Sequence, residues 1–200
     1  MNTPPAPGLQ VVILAAGASR RLGSSKALAR IRGETLVRRT VRMLAPLSAR
    51  APLLVVPPRG GRLAVALRGV RVQLRANPLH RHGLSTSLRC GLKAARWSSA
   101  VLLVPVDLPR LSGRDLARLV GRWRSAPRRI AARREGAAAV TPLILPHRYF
   151  GLVERITGDS GLRQRIAELP PSSRVLVGMP SAAADIDTPA QLGAARRRFR

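Results

Sequence analysis

Residues 14–26, LAAGASRRLGSSK, place two glycines, three serines, two arginines and a lysine directly after the β-branched run that ends at Leu14. Small residues let backbone N–H groups approach a ligand closely, and Ser19, Arg20, Arg21 and Lys26 add donors and positive charge. A triphosphate is the ligand such a set suits. The loop is neither a GxGxxG fingerprint nor a P-loop, because Gly17 and Gly23 are wrongly spaced and Lys26 does not follow Gly23 directly. A plain strand-to-helix loop with solvated arginines accounts for the same residues, so the loop alone leaves both readings open.

The charge balance adds a contrast. The chain carries 36 basic residues against 9 acidic ones, a net charge of +27, and the only lysines are Lys26 and Lys93. The remaining composition is heavy in Ala, Gly, Pro, Leu and Val, the residues a GC-rich genome favours, and arginine is scattered over every segment. Compositional drift therefore explains the charge ahead of nucleic-acid binding. A lysine retained against that drift marks a position where a guanidinium does not fit, and Lys26 is such a position. Among the few carboxylates, Asp107 and the pair Asp185 and Asp187 stand out by their settings. A positive surface does attract phosphates and nucleic acid, and a non-enzymatic, Arg-rich anion or nucleic-acid binder is the remote alternative. Against it, aromatics are only 2% of the chain, too few for base-stacking platforms, and no nucleic-acid-binding signature is present.

The elements that must position these residues follow a βαβ rhythm. Strands are expected at Gln10 to Leu14, Pro52 to Val56, Val70 to Leu74, Ala100 to Val106, Arg129 to Arg133, Ala138 to Leu145 and Val175 to Gly178. Helices are expected over Thr35 to Leu44, Gly61 to Leu67, Gly83 to Arg96, Ser112 to Trp123, His147 to Ile156 and Ser160 to Leu169, with a last one from about Thr188. Alternating strands and helices imply an α/β fold, a three-layer α/β/α sandwich around a mostly parallel sheet, with ligands at the carboxyl ends of the strands. Residues 1–8, with three prolines, read as a disordered arm, and 9–200 as a single domain.

A lone cysteine, Cys90, excludes an internal disulfide and a cysteine-rich zinc site, and a reducing cytoplasm is the simplest location. The apolar run Val11 to Ala18 is far shorter than the roughly 20 residues of a membrane span, and no positive segment precedes it as in a signal peptide. Cys90 reads as a buried small hydrophobe, Trp97 and Trp123 as helix-edge packing, and His80 and His82 as loop residues lacking a third ligand.

The first loop resembles the LAAGxSxRMGxxK signature of the MobA-like NTP transferases that act on the molybdenum cofactor, with Gly17, Ser19, Arg21, Gly23 and Lys26 in register and Leu22 in place of Met. Residues 77–92, NPLHRHGLSTSLRCGL, are similar to that family's NPxWxxGxSxSLxxGL segment. VDLP at 106–109 stands at its DxP motif, GDSGLR at 158–163 resembles its GDxGAR turn, and DIDTP at 185–189 matches its DIDTP motif. Five blocks in order span nearly the whole chain. The resemblance implies a Rossmann-like, nucleotide-diphospho-sugar transferase-like fold and nucleotidyl transfer to molybdopterin with release of pyrophosphate. Within the family, LAAG openings go with cytidylyl transfer and LAGG with guanylyl transfer, so Ala16 points to CTP. Guanylyl transfer, or transfer to another phosphorylated acceptor, is the alternative.

That chemistry assembles several negative charges around an α-phosphate, and a phosphate monoester is already nucleophilic near neutral pH, so positioning and charge neutralisation are the requirement. The resemblance then assigns Lys26 and Arg21 to the phosphates and Asp107, with Asp187, to Mg²⁺. Asp185 is the fallback, and helix capping is the competing role for both Asp107 and Asp187. The backbone of Leu14, Ala15, Ala16 and Gly17, with Ser19, Asn77, Gly83, Ser85 and Ser87, is expected to hold the nucleotide, though Ser85 could simply cap its helix. Gly158, Asp159 and Arg163 are expected to face the pterin, with a plain helix-start turn as the equal alternative. A molybdoenzyme or its chaperone is an expected recipient of the product. His80 replaces the family's Trp, Val106 and Leu108 replace Cys and Gln, and residues 136–142, GAAAVTP, lack a Gly-x-Pro; these departures bear on the acceptor more than on the fold.

Overall fold

Strand β1, Leu9–Leu14, is buried along its whole length, and its side chains divide by parity. Leu9, Val11 and Ile13 enter one hydrophobic cluster and Val12 and Leu14 another, so the strand is covered on both faces. The computed structural model describes residues 8–16, 26–157 and 161–182. Residues 1–7 of the arm, Gly17, Ser19 and Arg21 of the first loop, Gly158, Asp159, Asp185, Asp187 and the helix expected from Thr188 lie outside them. Gly8, the last residue assigned to the arm, is already tied to the sheet, its carbonyl accepting the N–H of Ser99 at 3.0 Å.

A hairpin of β2 (Arg30–Ile31) and β3 (Glu34–Thr35) leads into α1 (Leu36–Leu44). Then come β4 (Leu53–Val56), α2 (Gly61–Ala66), β5 (Gln73–Ala76), α3 (Leu84–Ala94), β6 (Ala100–Pro105), α4 (Gly113–Arg124), β7 (Ile130–Glu135), β8 (Ala138–Pro146), α5 (Gly161–Ala167) and β9 (Arg174–Val177). Seven strands form one sheet in the order β5-β4-β1-β6-β8-β7-β9. Every neighbouring pair is parallel except those involving β8, which runs antiparallel to β6 and β7. Helices α1, α2 and α4 cover one face, α3 and α5 the other. The expected three-layer, mostly parallel sandwich is the fold found.

Four local expectations need correction. The edge strand starts three residues later than Val70, because Gly69 turns the chain at φ +77° and pairing begins where the N–H of Gln73 meets the carbonyl of Pro52 at 2.9 Å. Val70 and Val72 pack on the core without joining the sheet. The segment after β8 is a 3-10 run over His147–Val153, with Gly151 in its middle and the carbonyl of Gly151 accepting the N–H of Glu154. The β2–β3 hairpin was not expected at all; each strand is two residues long, too short for a periodic signal. Cys90 is half-buried rather than buried.

The arginine surplus has a structural use. Arg38 donates to the carbonyl of Arg68 at 3.0 Å, Arg89 to that of Ile156 at 2.7 Å, and Arg174 to that of Ile166, in the last turn of α5, at 2.7 Å. These forks add donors to carbonyls at helix ends and turns, where backbone partners are fewest; that of Ile166 also accepts the N–H of Leu169 at 3.3 Å.

Candidate active site

Because β1 and β6 are parallel neighbours, paired from Leu9 opposite Ala100 to Leu14 opposite Pro105, the loops that follow them must meet at the same end of the sheet. Asp107 lies two residues beyond β6, and the N–H of Val106 still donates to the carbonyl of Leu14 at 3.2 Å. Lys26 opens a 3-10 turn, Lys26–Leu28, that is anchored by buried Ala27. Its Nζ lies 3.5 Å from Asp107 Oδ2, and the two side chains are 17% and 25% exposed. Two residues 81 positions apart, singled out in the sequence for separate reasons, are thus an ion pair at the carboxyl edge. Asp107 does not cap a helix: Ser112 caps α4, accepting the N–H of Asp115 at 3.2 Å.

A second group sits where α3 begins, at the same edge. Gly83 precedes α3 with φ +96° and ψ 175°, a conformation open to glycine and strained for other residues. Asn77 is buried, and its Nδ2 donates to Thr86 Oγ1 at 2.9 Å and Ser87 Oγ at 3.0 Å, while its Oδ1 accepts the N–H of Leu79 at 3.0 Å. Thr86 Oγ1 lies 2.9 Å from the carbonyls of both Leu79 and Gly83, which share its single proton. Asn77 and Ser87 therefore bind the 77–83 loop to the first turn of α3. Ser85 makes no cap bond, and its buried Oγ has no partner among the described residues. The helix itself is pressed onto the sheet at Gly91, where a Cβ would lie 2.5 Å from Val12 Cγ1.

Of the remaining expected residues, Leu14, Ala15 and Ala16 are buried at the end of β1. The carbonyl of Leu14 and the N–H of Ala15 are engaged with Val106 and Val55, the latter at 3.0 Å. Arg163 is exposed on α5 and pairs with Glu135 at 3.1 Å. His80 and His82 form one short 3-10 turn, and no group of three metal-ligating side chains occurs among the described residues. Trp123 is buried with its Nε1 donating to the carbonyl of Pro127, whereas Trp97 is exposed under the guanidinium of Arg50 at 4.0 Å.

Sequence reasoning missed three parts of this edge. Thr86, between Ser85 and Ser87, is the hydroxyl that binds the loop. Buried Asp115 accepts the N–H of Ser181 at 2.9 Å and also its Oγ, fastening the C-terminal segment to the start of α4. Its signal was the Ser112-x-x-Asp115 capping spacing. The third is Arg133, 8% exposed in β7, with Glu135 beside it. Nothing in the local pattern marks Arg133, one arginine among many.

The donor chemistry fits a divalent cation in one respect. Mg²⁺ takes oxygen ligands, typically one or two carboxylates with substrate phosphates completing the shell, and Asp107 offers such an oxygen next to a compact ammonium. Cys90 takes no part: burial pushes its thiol above the usual value, partly opposed by the charge of Arg75.

Comparison with known proteins bears on the fold and the family. The family model described as "MobA-like NTP transferase domain" matches residues 11–173. A probable molybdenum cofactor guanylyltransferase of Opitutus terrae is 35% identical over 144 residues, 69% of this chain and 68% of that one. Another from Rhodopirellula baltica is 28% identical over 193 residues, covering 94% and 91%. Among solved structures, a nucleotidyl transferase from Methanothermobacter thermautotroptrophicus superposes with a TM-score of 0.77 at 21% identity, over 96% of this chain and 97% of that one. A Mycobacterium tuberculosis protein solved in complex with manganese gives 0.72 at 19% identity, over 94% and 98%.

Proposed function

Since the chain belongs to the MobA-like NTP transferase family, we propose that it transfers a nucleoside monophosphate from an NTP to the phosphate of molybdopterin and releases pyrophosphate. The observation that carries this reading is the Lys26–Asp107 pair at the carboxyl edge of the sheet. In the transfer, a phosphate-monoester oxygen attacks the α-phosphorus and the bond to the bridging oxygen of pyrophosphate breaks. The monoester needs no side-chain base. Lys26 leaves Asp107 for the triphosphate oxygens, where its charge offsets the charge growing on the leaving group. Asp107 and Asp187 would hold Mg²⁺, which when bound supplies a further counter-charge across the phosphates. Arg21 adds a planar fork to the same oxygens. The first turn of α3, with Gly83, Ser85 and the Asn77–Ser87 lock, holds the base and ribose. Gly158, Asp159 and Arg163 face the pterin-type acceptor, and a molybdoenzyme or its chaperone receives the product.

For the donor base, CTP is proposed on the strength of Ala16 in the LAAG opening. GTP is the second reading, favoured by the guanylyltransferase names of the relatives. A thermal-shift titration with CTP, GTP, ATP and UTP, each with and without Mg²⁺, separates them, because a ligand of the folded state raises apparent stability by mass action. A Mg²⁺-dependent shift with CTP that is lost in Asp107→Ala supports the reading. The same result with GTP instead reverses the base assignment. Equal small shifts with all four, gone at higher salt, would mean that the arginines merely attract phosphate.

A further inference from the structure

Arg133 is a guanidinium almost wholly inside the molecule, and an isolated buried charge costs several kcal/mol unless its hydrogen bonds are met. Its Nε donates to the carbonyl of Thr141 at 2.8 Å and its Nη2 lies 3.3 Å from Glu135 Oε1. The other oxygen, Glu135 Oε2, accepts from Arg163 Nη1 at 3.1 Å. One carboxylate is therefore shared by two guanidiniums, and the trio keeps one net positive charge. The register of β7 against β8 shifts between Ala132 and Arg133, an irregularity of the kind that re-aims a side chain beside a site. Arg163 itself is held in place by its own helix. α5 is set against Ile156 so tightly that a Cβ on Gly161 would fall 1.1 Å from Ile156 Cγ2.

Topology places the trio on one flank of Asp107. β7 runs parallel with β1 in the sheet frame, so Glu135 ends its strand at the edge that carries Lys26 and Asp107. In the sheet order, β1 flanks β6 on one side, and β8 then β7 flank it on the other. Two strand spacings, about 10 Å, separate β7 from β6. A transfer that requires attacking and leaving groups on opposite sides of one phosphorus needs a second anion subsite across from the triphosphate loop.

We propose that Arg133 and Glu135 are positioning residues that aim the exposed fork of Arg163 at the anionic end of the acceptor. This rests on the transfer reading above. The test is steady-state kinetics with molybdopterin and the preferred NTP for the wild type, Arg133→Lys, Glu135→Gln, Arg163→Ala and the double variant Arg133→Lys/Arg163→Ala, with melting temperature as the folding control. Glu135 is half-exposed, so Glu135→Gln tests the idea even if Arg133→Lys folds poorly.

Each single variant is expected to raise the acceptor KM about fivefold, the scale of one exposed charge pair, while the KM for the nucleotide does not follow. The double variant should be no worse than Arg163→Ala alone, the non-additivity expected of residues acting through one another. An unchanged acceptor KM, a nucleotide KM rising in step, or additive losses would overturn the proposal and leave the transfer reading intact. A wild type that transfers nothing to molybdopterin would overturn both.

Discussion

Replacing Gly91 by alanine probes how α3 is seated against β1 beneath the proposed nucleotide site. A new Cβ would stand 2.5 Å from Val12 Cγ1 and 3.4 Å from Val55 Cγ2. The second distance is ordinary contact; the first is about 1 Å too short. Val12 cannot yield easily, being fully buried in the central strand and stiff at χ1. Overpacking of this kind costs about 1–3 kcal/mol, while alanine in a helix interior recovers about 1 kcal/mol relative to glycine. The expected result for Gly91→Ala is a net loss of up to about 2 kcal/mol, measured by urea denaturation with an unchanged m-value. Val12→Ala removes the offending methyl, so the double variant should be more stable than the sum of the two single losses allows. A Gly91→Ala protein stabilised by the full helix-propensity gain, or strictly additive losses in the cycle, would refute the close approach of α3 to β1.

Other perturbations reach the site from different directions. Lys26→Ala should cost less than about 1 kcal/mol in stability, since the pair it breaks is partly solvated, yet lower kcat/KM by about 100-fold or more by removing phosphate-directed charge; a matched small change in both would argue against a role in transfer. Gly83→Ala forces a side chain into a backbone conformation that costs about 1–3 kcal/mol and should weaken nucleotide binding, whereas a Gly83→Ala protein with native stability would show that the turn relaxes freely. Because burial raises the Cys90 thiol pKa, alkylation by iodoacetamide should stay slow at pH 8.5, where an ordinary thiol is about half ionised, and a rate equal to that of free cysteine would contradict it.

Much of the fold was legible because its signals are periodic. The buried strands β1, β4 and β6 are unbroken apolar runs of the kind a doubly covered parallel sheet requires. Helices such as α1 alternate arginines with a regular apolar stripe. The hairpin β2–β3 and the start of β5 were missed because pairing there depends on distant partners, such as the carbonyl of Pro52, which no local pattern reports. At the site, Lys26 and Asp107 were recognisable by rarity and by placement after strands, but their contact follows from β1 and β6 being neighbours, a property of topology. Arg133 and Glu135 stayed hidden for the opposite reason: in a chain with 36 basic residues, a buried arginine looks like every solvated one. Asp115 looked like an ordinary first-turn acid, and only its bond to Ser181 shows that it joins two distant segments.

The most direct test is pyrophosphate release from CTP with Mg²⁺ and molybdopterin, in single turnover, comparing wild type with Asp107→Asn. The account predicts stoichiometric pyrophosphate and a molybdopterin dinucleotide with the wild type, of cytosine if the proposed donor is right and of guanine from GTP if only the base assignment is reversed, and a rate lower by about 100-fold or more with the variant. Release at equal rates from both proteins, or none from the wild type with any of the four triphosphates, would contradict it.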